Sequence, residues 1–469
     1  MLSKVIEKIG RIADPVLQFD SINHIATDPI FGLESWDPHK LPDLECINVC
    51  AVCPPQYIKP LKQFWEHLKE GYTEDVWVPY PGFRSAFSIP VTDLGKIYNP
   101  DPKPGDIPTR YASAVKDVEK FDLAFVVLPY ETAADAFEVY NEIKASSFSK
   151  TPRIKTQCIR RSTLERLDKL SEAKVEKQKK SIRSDHAIDL WNITVGIFTK
   201  VGGTPWILKN PMSEVGCFIG MVTNARTVAE RQYVRDKAGI CEVVDSYGSH
   251  IIWAKEDLPS MAWTKIEDRR VLDIKPDEIQ RLVESCLDRY CRQLLGPGYE
   301  DRISSLSHKS VVFHVTDRFS DNVLDTMEEG ISDYGLKRYQ IIHLEHKSPH
   351  RLYEEESDDL IPLRGTFWKI DSNNAVLYTH GKREYRRGIV SRVYSRHKRV
   401  SPIGIEILRQ NKAPTIDQAC GHIINLTALC WYTTDIELRM PVTIKIARRL
   451  SELWKRNVLT DFEDVRWVL

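Results

Sequence analysis

Four short segments carry the residues best able to do chemistry: Tyr140-x3-Lys144, Thr156-Gln157-Cys158, Lys200-Val-Gly-Gly203, and the terminal Trp467-Val468-Leu469. On a helix, Tyr140 and Lys144 share one face, because residues four apart lie one turn from each other. Gln157 falls in a β-rich run just downstream, and Lys200 precedes a paired-glycine turn. A cation pair, an amide and an aromatic plate suit a terminal phosphate with a nucleobase stacked beside it.

Such groups need a scaffold. A chain of 469 residues suggests two or three domains with real cores. Hydrophobic content of 42% and charged content of 28% describe an ordinary soluble globular protein. The formal net charge is zero, which argues against a generic nucleic-acid coat. The charge is nevertheless uneven. Lys144 to Arg183 holds thirteen Lys/Arg against four Asp/Glu, and Lys382 to Arg399 holds eight against one. Local basic stripes in a neutral chain suit a narrow channel better than a broad adhesive surface. In the second stripe, Arg386, Arg387, Arg392 and Arg396 interleave with Tyr385 and Tyr394, a composition that suits contact with a nucleic-acid backbone. Arg160 and Arg161 are candidates for the same role.

No apolar run reaches membrane-spanning length, and the N-terminus carries Glu7 inside its short apolar stretch, unlike a signal peptide. Cys50-x2-Cys53 lacks the second ligand pair that a zinc site needs, so the ten cysteines read as buried thiols in a reducing cytoplasm.

Strands and helices alternate along the chain. Phe121–Leu128 is a buried-strand run stopped by Pro129, a helix follows over 131–146, and Arg153–Ile159 is a strand. Ser162-x-x-Glu165 forms a capping-box pattern that predicts a long basic helix to about Lys180, with a further helix over 187–200. The second half predicts strands at 215–222, 310–315, 339–344, 366–370, 375–378 and 403–408, with helices at 277–295, 416–431 and 441–455. The pattern implies an α/β fold, Rossmann-like in its first half.

In order and spacing, these segments resemble the Argonaute family. Tyr140-x3-Lys144, Thr156-Gln157-Cys158-Ile159 and Lys200-Val-Gly-Gly-x-Pro-Trp206 resemble its MID domain. Phe218-Ile-Gly220, Val311-Val-Phe-His314, Ser401-Pro-Ile-Gly-Ile405, Asn425-Leu-Thr427 and Met440-Pro441 resemble its ribonuclease H-like PIWI domain. The resemblance implies a MID domain over 43–203, a PIWI domain over 204–469, and an extension over 1–42 packed on the PIWI half. It leaves no stretch for PAZ and N-terminal domains, as in a short prokaryotic Argonaute.

It further implies that Tyr140 meets the first nucleotide of a guide strand, that Lys144, Gln157 and Lys200 bind its 5′-phosphate, and that Cys158 forms the pocket wall. The Leu469 carboxylate would hold a Mg²⁺ or Mn²⁺ ion bridging the phosphate. Many relatives carry a second lysine where this chain has Gly196; a metal, Arg160 or Arg161 would substitute for it. The first and last family metal-ligand positions fall on Val222 and Ile446, and the middle one at or next to Asp317. Aliphatic side chains cannot hold a hard cation, so the resemblance implies a PIWI domain that does not cut. The chain would then act as the guide-binding subunit of a defence complex. A guide RNA would pair with invading single-stranded DNA. Pairing would activate an APAZ-domain effector partner, an NADase of TIR or sirtuin type or a nuclease, in a heterodimer or a higher oligomer on activation. Two other readings stand beside it: an active guide-directed endonuclease, and a nucleotide- or phosphate-binding α/β enzyme. Taken singly, Tyr140 is a core aromatic, Lys144 a solvated lysine, and Gly202-Gly203 a turn.

Overall fold

The structure, a computed structural model, describes residues 9–129, 133–149, 154–227, 234–248, 250–266, 269–296, 299, 306–353, 361–381, 401–436 and 438–455. Its first half is built on a four-stranded parallel sheet in the order Ile97–Tyr98, Val49–Val52, Leu123–Leu128, Lys155–Arg160. Every residue of Leu123–Leu128 is buried, as a parallel strand covered on both faces requires. Ala124, Val126 and Leu128 pack toward Val139 and Ile143 of the Ala133–Ser149 helix. Phe125 and Val127 turn the other way, toward Phe64 and Trp65 of the Ile58–Glu70 helix. The alternation places Tyr140, Lys144 and the Lys155–Arg160 strand on adjoining elements of one α/β layer.

The predicted basic helix from Ser162 is corrected by the structure. Arg161–Leu164 is a single turn with no side-chain cap, followed by a 3-10 segment over Arg166–Leu170. The main helix begins only at Glu176 and runs unbroken to Lys200. Arg166 pins the connector to that helix through Asp189, 2.6 Å away. Apolar burial in the connector falls on Leu164 and Ala173, a spacing that no single helical face sustains. The two expected helices are therefore one, and its last residue is the candidate Lys200.

The second half holds a nine-stranded mixed sheet. Its order is Ile9–Arg11, Thr366–Lys369, Asn374–Leu377, Ile403–Asn411, Tyr339–Glu345, Ser310–Val315, Val215–Thr227, Val234–Asp245, His250–Asp257. Ser310–Val315 runs parallel to both neighbours, and the remaining pairs are antiparallel. Helices Pro276–Leu295 and Asp321–Asp333 cover one face, sharing a core with Cys217, Ile219 and Phe313. Helices Ile416–Thr427 and Val442–Lys455 cover the other, where Phe218 and Val222 lie. The helix comes close to the sheet at Gly220, where an added Cβ would stand 2.3 Å from the Thr443 carbonyl oxygen. Glycine in Phe218-Ile-Gly220 thus lets the final helix seat directly on the sheet.

Residues 9–42 reach across the molecule. Ile9–Arg11 adds an edge strand beside Thr366–Trp368, Leu17–Gln18 pairs with Ile207–Leu208, and Asp14 meets the buried Arg364 at 2.6 Å. One core runs through Phe19, Phe125, Trp191, Phe218 and Ile446, so the two halves share an interior. The crossing point is Gly202, whose φ of 112° suits a residue without a side chain. Among the described residues no helix is long and apolar enough to cross a membrane.

Candidate functional site

A cavity of about 470 Å³ lies between the first half and the final helix. The predicted residues Tyr140, Lys144, Gln157, Cys158 and Lys200 all line it. They reach it from three elements of the α/β layer, the Ala133–Ser149 helix, the Lys155–Arg160 strand and the end of the Glu176–Lys200 helix. Tyr140 and Lys144 stand one turn apart on the Ala133–Ser149 helix, and the Lys144 ammonium lies 5.4 Å from the Tyr140 ring centroid. Lys144 Nζ donates to the Thr156 carbonyl oxygen at 3.2 Å, which ties that helix to the strand carrying Gln157. Lys200 Nζ donates to Gln157 Oε1 at 2.5 Å, while Gln157 Nε2 donates to the Cys158 carbonyl at 3.2 Å. The amide is thereby held with its oxygen toward the lysine.

Two buried ammonium groups in one cavity are costly unless something anionic joins them. Lys144 is 1% exposed and Lys200 3%. Burial, then the charge of Lys144, pushes Lys200 well below the ordinary lysine range. The negative end of the Glu176–Lys200 helix dipole offsets part of that cost, since Lys200 closes its last turn. Burial raises the Cys158 thiol above its usual value, so it contributes as a neutral wall.

The final helix supplies a second wall that the sequence reading did not use. Lys445, Arg448, Arg449 and Glu452 line the cavity together with Tyr432. Arg449 stacks over Tyr140, with its Cζ 4.0 Å from the ring centroid, and Lys445 sits 4.5 Å from the Tyr432 ring centroid. The available signal was Lys445-x2-Arg448-Arg449, a basic face on one helix. Glu452, the one carboxylate among the described lining residues, pairs with Lys455 at 3.4 Å.

Gly196 also lines the cavity. A Cβ there would lie 3.2 Å from Gln157 Oε1 and 3.8 Å from Lys200 Nζ. The position that lacks a lysine thus faces the site, and a cation reaches the cavity from Arg449 instead. Arg160 and Arg161 are not among the lining residues. Arg160 is exposed, and Arg161 donates to the Tyr57 hydroxyl at 3.3 Å and pairs with Glu165 at 3.4 Å. Leu469, Arg386, Arg387, Arg392 and Arg396 lie outside the described residues.

The three positions matched to metal ligands do not gather as a carboxylate cluster. Val222 is buried on its strand, opposite Ile240. Ile446 is 1% exposed on the final helix. Asp317 accepts hydrogen bonds from Thr223 Oγ1 at 2.7 Å, Thr316 Oγ1 at 3.3 Å and Trp263 Nε1 at 3.4 Å. His343 faces Glu406, with Nδ1 3.5 Å from Oε2. No group of three or more His, Cys, Asp or Glu suited to a metal occurs among the described residues. Cys50 and Cys53 are buried free thiols.

No protein-family model and no curated protein matches the sequence. Solved structures do match the fold. Clostridium butyricum Argonaute, bound to a guide DNA and a 19-mer target DNA, aligns with a TM-score of 0.64 at 18% identity, over 96% of this chain and 53% of that one. A. aeolicus Argonaute gives 0.59 at 14% identity, over 97% and 54%. Marinitoga piezophila Argonaute, with a 5′ OH guide RNA and target DNA, gives 0.59 at 13%, over 98% and 59%. The chain therefore has an Argonaute-like fold, similar to the MID–PIWI part of those proteins. It spans little more than half their length.

Proposed function

We propose that this chain binds the 5′-phosphorylated end of a guide strand in the cavity and pairs the guide with a complementary target without cutting it. The observation that carries this reading is the pair of buried lysines, Lys144 and Lys200, facing a cavity that Arg449 also enters. A phosphate dianion would favour the charged form of Lys200 against burial and Lys144, and would accept hydrogen bonds from ammonium and amide donors. Tyr140, with Lys144 and Arg449 both close to its ring, is the aromatic group that the first base would meet. Protein contacts would then fix one end of the strand, and base pairing would read the sequence.

Val222 and Ile446 support the reading without cleavage, because neither can ligate a hard cation. The described lining has one carboxylate, Glu452, which does not fit a divalent ion; a bridging Mg²⁺ or Mn²⁺ would rest on Leu469. Without cutting, the output must pass to another protein, and an APAZ-domain effector in a prokaryotic defence complex is the partner we assign. The guide is taken as RNA and the target as single-stranded DNA. The test compares 5′-phosphate and 5′-hydroxyl guides of one sequence by fluorescence anisotropy. Preference for the phosphate by tenfold or more supports the reading. Equal affinity overturns it, a real contrast because the Marinitoga relative was solved with a 5′ OH guide RNA.

A further inference from the structure

The cavity has a second chemistry, which belongs to the amine of Lys200 rather than to its charge. Lys200 is 3% exposed and Lys144 1%, and both line the same cavity. Arg449 enters it from the final helix, while Glu452, the one carboxylate among the described lining residues, pairs with Lys455. Two buried amines among so little negative charge hold fewer than two protons. Lys144 Nζ donates to the Thr156 carbonyl at 3.2 Å. Burial, then the charge of Lys144, places the proton deficit on Lys200. A buried lysine that gives up its proton beside other cations is a nucleophile toward carbonyl carbon.

The surroundings of Lys200 Nζ suit a small electrophile. Nζ donates to Gln157 Oε1 at 2.5 Å, which uses one N–H and leaves the lone pair of the neutral amine available. Gly196 lies one helical turn before it, and a Cβ there would stand 3.8 Å from Nζ, so position 196 puts no side chain over the amine. Cys158 adds a wall that burial keeps neutral. Carbon dioxide is compact, uncharged and electrophilic at carbon. Attack by the amine forms one N–C bond, moves one C=O electron pair onto oxygen and releases one proton to solvent. The product is a carbamate, whose remaining N–H keeps the bond to Gln157 Oε1. Its carboxylate brings one negative charge to Lys144 and Arg449, the two cations whose charge bears on Lys200. Charge-assisted hydrogen bonds from ammonium and guanidinium groups would hold it.

We propose that Lys200 is a reversible acceptor of carbon dioxide, and that its carbamate takes the place a guide 5′-phosphate would occupy. The modification stands on the cavity alone, whereas the competition rests on the guide-binding reading above. Affinity for a 5′-phosphorylated strand would then depend on dissolved carbon dioxide.

Chemical trapping tests this. The purified full chain is equilibrated with isotope-labelled bicarbonate and carbon dioxide at fixed pH and ionic strength, alkylated with triethyloxonium, and mapped by peptide mass spectrometry. Lys200 should carry label in excess of the exposed Lys174 and Lys177. Lys200→Arg, which keeps a cation there, should lose that label. Lys144→Met should reduce it severalfold, because it removes the charge that both deprotonates the amine and binds the product. Inorganic phosphate or a 5′-phosphorylated guide, added first to the wild type, should protect Lys200. Bicarbonate should in turn raise the apparent Kd of that guide about twofold at the concentration that half-labels Lys200, and about elevenfold at ten times that concentration. A 5′-hydroxyl guide should respond less. The proposal is overturned if wild-type Lys200 carries no more label than Lys174 and Lys177, or if phosphate gives it no protection. Label on Lys200 that inorganic phosphate blocks and the 5′-phosphorylated guide does not would uphold the modification and strike the guide-end reading, which separates the two failures.

Discussion

Replacing Lys200 by methionine removes the charge at the centre of the cavity while keeping most of the side-chain volume. Two unit charges about 4 Å apart interact by about 4 kcal/mol at an effective dielectric constant of roughly 20. Recharging Lys200 subtracts from that gain, because burial and Lys144 disfavour its protonated form before ligand arrives. A net loss of about 2–3 kcal/mol is expected, or roughly 30- to 150-fold in affinity for a 5′-phosphorylated guide. A 5′-hydroxyl guide should be affected far less.

The same residue gives binding a proton signature. The lysine is lowered from 10.5, so the unfolded chain holds more protons than the folded one between the lowered value and 10.5. Stability of the ligand-free wild type should therefore rise with pH through that window, and Lys200→Met should lack this limb. Phosphate binding favours the charged lysine, so it takes up protons, at most about one, at pH values between the lowered value and 10.5. Titration calorimetry in buffers of different ionisation enthalpy counts that proton. Uptake by the wild type and none by Lys200→Met is the expected result. Unchanged uptake in Lys200→Met, or an unchanged phosphate-to-hydroxyl preference, would refute the reasoning.

Other perturbations have equally definite outcomes. Arg449→Ala should weaken 5′-phosphorylated guides by at least about 1–2 kcal/mol, through lost charge and lost stacking on Tyr140, with Arg449→Lys recovering part of it in the same anisotropy assay. Gly220→Ala should lower the melting temperature, because the added methyl meets the Thr443 carbonyl at 2.3 Å and overpacking of this kind costs about 1–3 kcal/mol. Arg364→Met should destabilise the chain by about 3–5 kcal/mol in denaturant, since it removes the ion pair from the buried Arg364 to Asp14 that ties residues 9–42 to the large sheet. Glu406 is held down to about 2, chiefly by its hydrogen bond from His343 and then against burial with Arg318. Its stabilisation is present above about 4.5 and lost as pH falls toward 2, so Glu406→Gln should flatten that part of the acid-unfolding curve.

What the sequence made legible follows from how local each signal is. Phe121–Leu128 announces a buried parallel strand by its unbroken apolar run, and Leu123–Leu128 is that strand. Tyr140, Lys144, Gln157 and Lys200 could be grouped because helix spacing and strand order bring neighbouring elements of one layer together. Val234–Asp245 and His250–Asp257 escaped notice because Asp236, Lys237, Glu242, Lys255 and Glu256 break the apolar pattern of two long strands. The Ser162-x-x-Glu165 pattern misled because a capping box is a local preference, while the Arg166 contact to Asp189 is tertiary. Arg449 was missed for a related reason. It reaches Tyr140 across more than three hundred residues of sequence, and only the packing of the final helix, through Gly220, brings them together.

The central claim is that the chain holds a guide and pairs it without cutting. Its most direct test loads the purified chain with a 5′-phosphorylated guide, adds a complementary labelled single-stranded DNA and Mn²⁺, and follows capture and strand length on parallel native and denaturing gels. The account expects guide-dependent capture of the complementary strand, recovered at full length. Absence of guide-dependent capture, or a discrete cleavage product made by the chain alone, would contradict it.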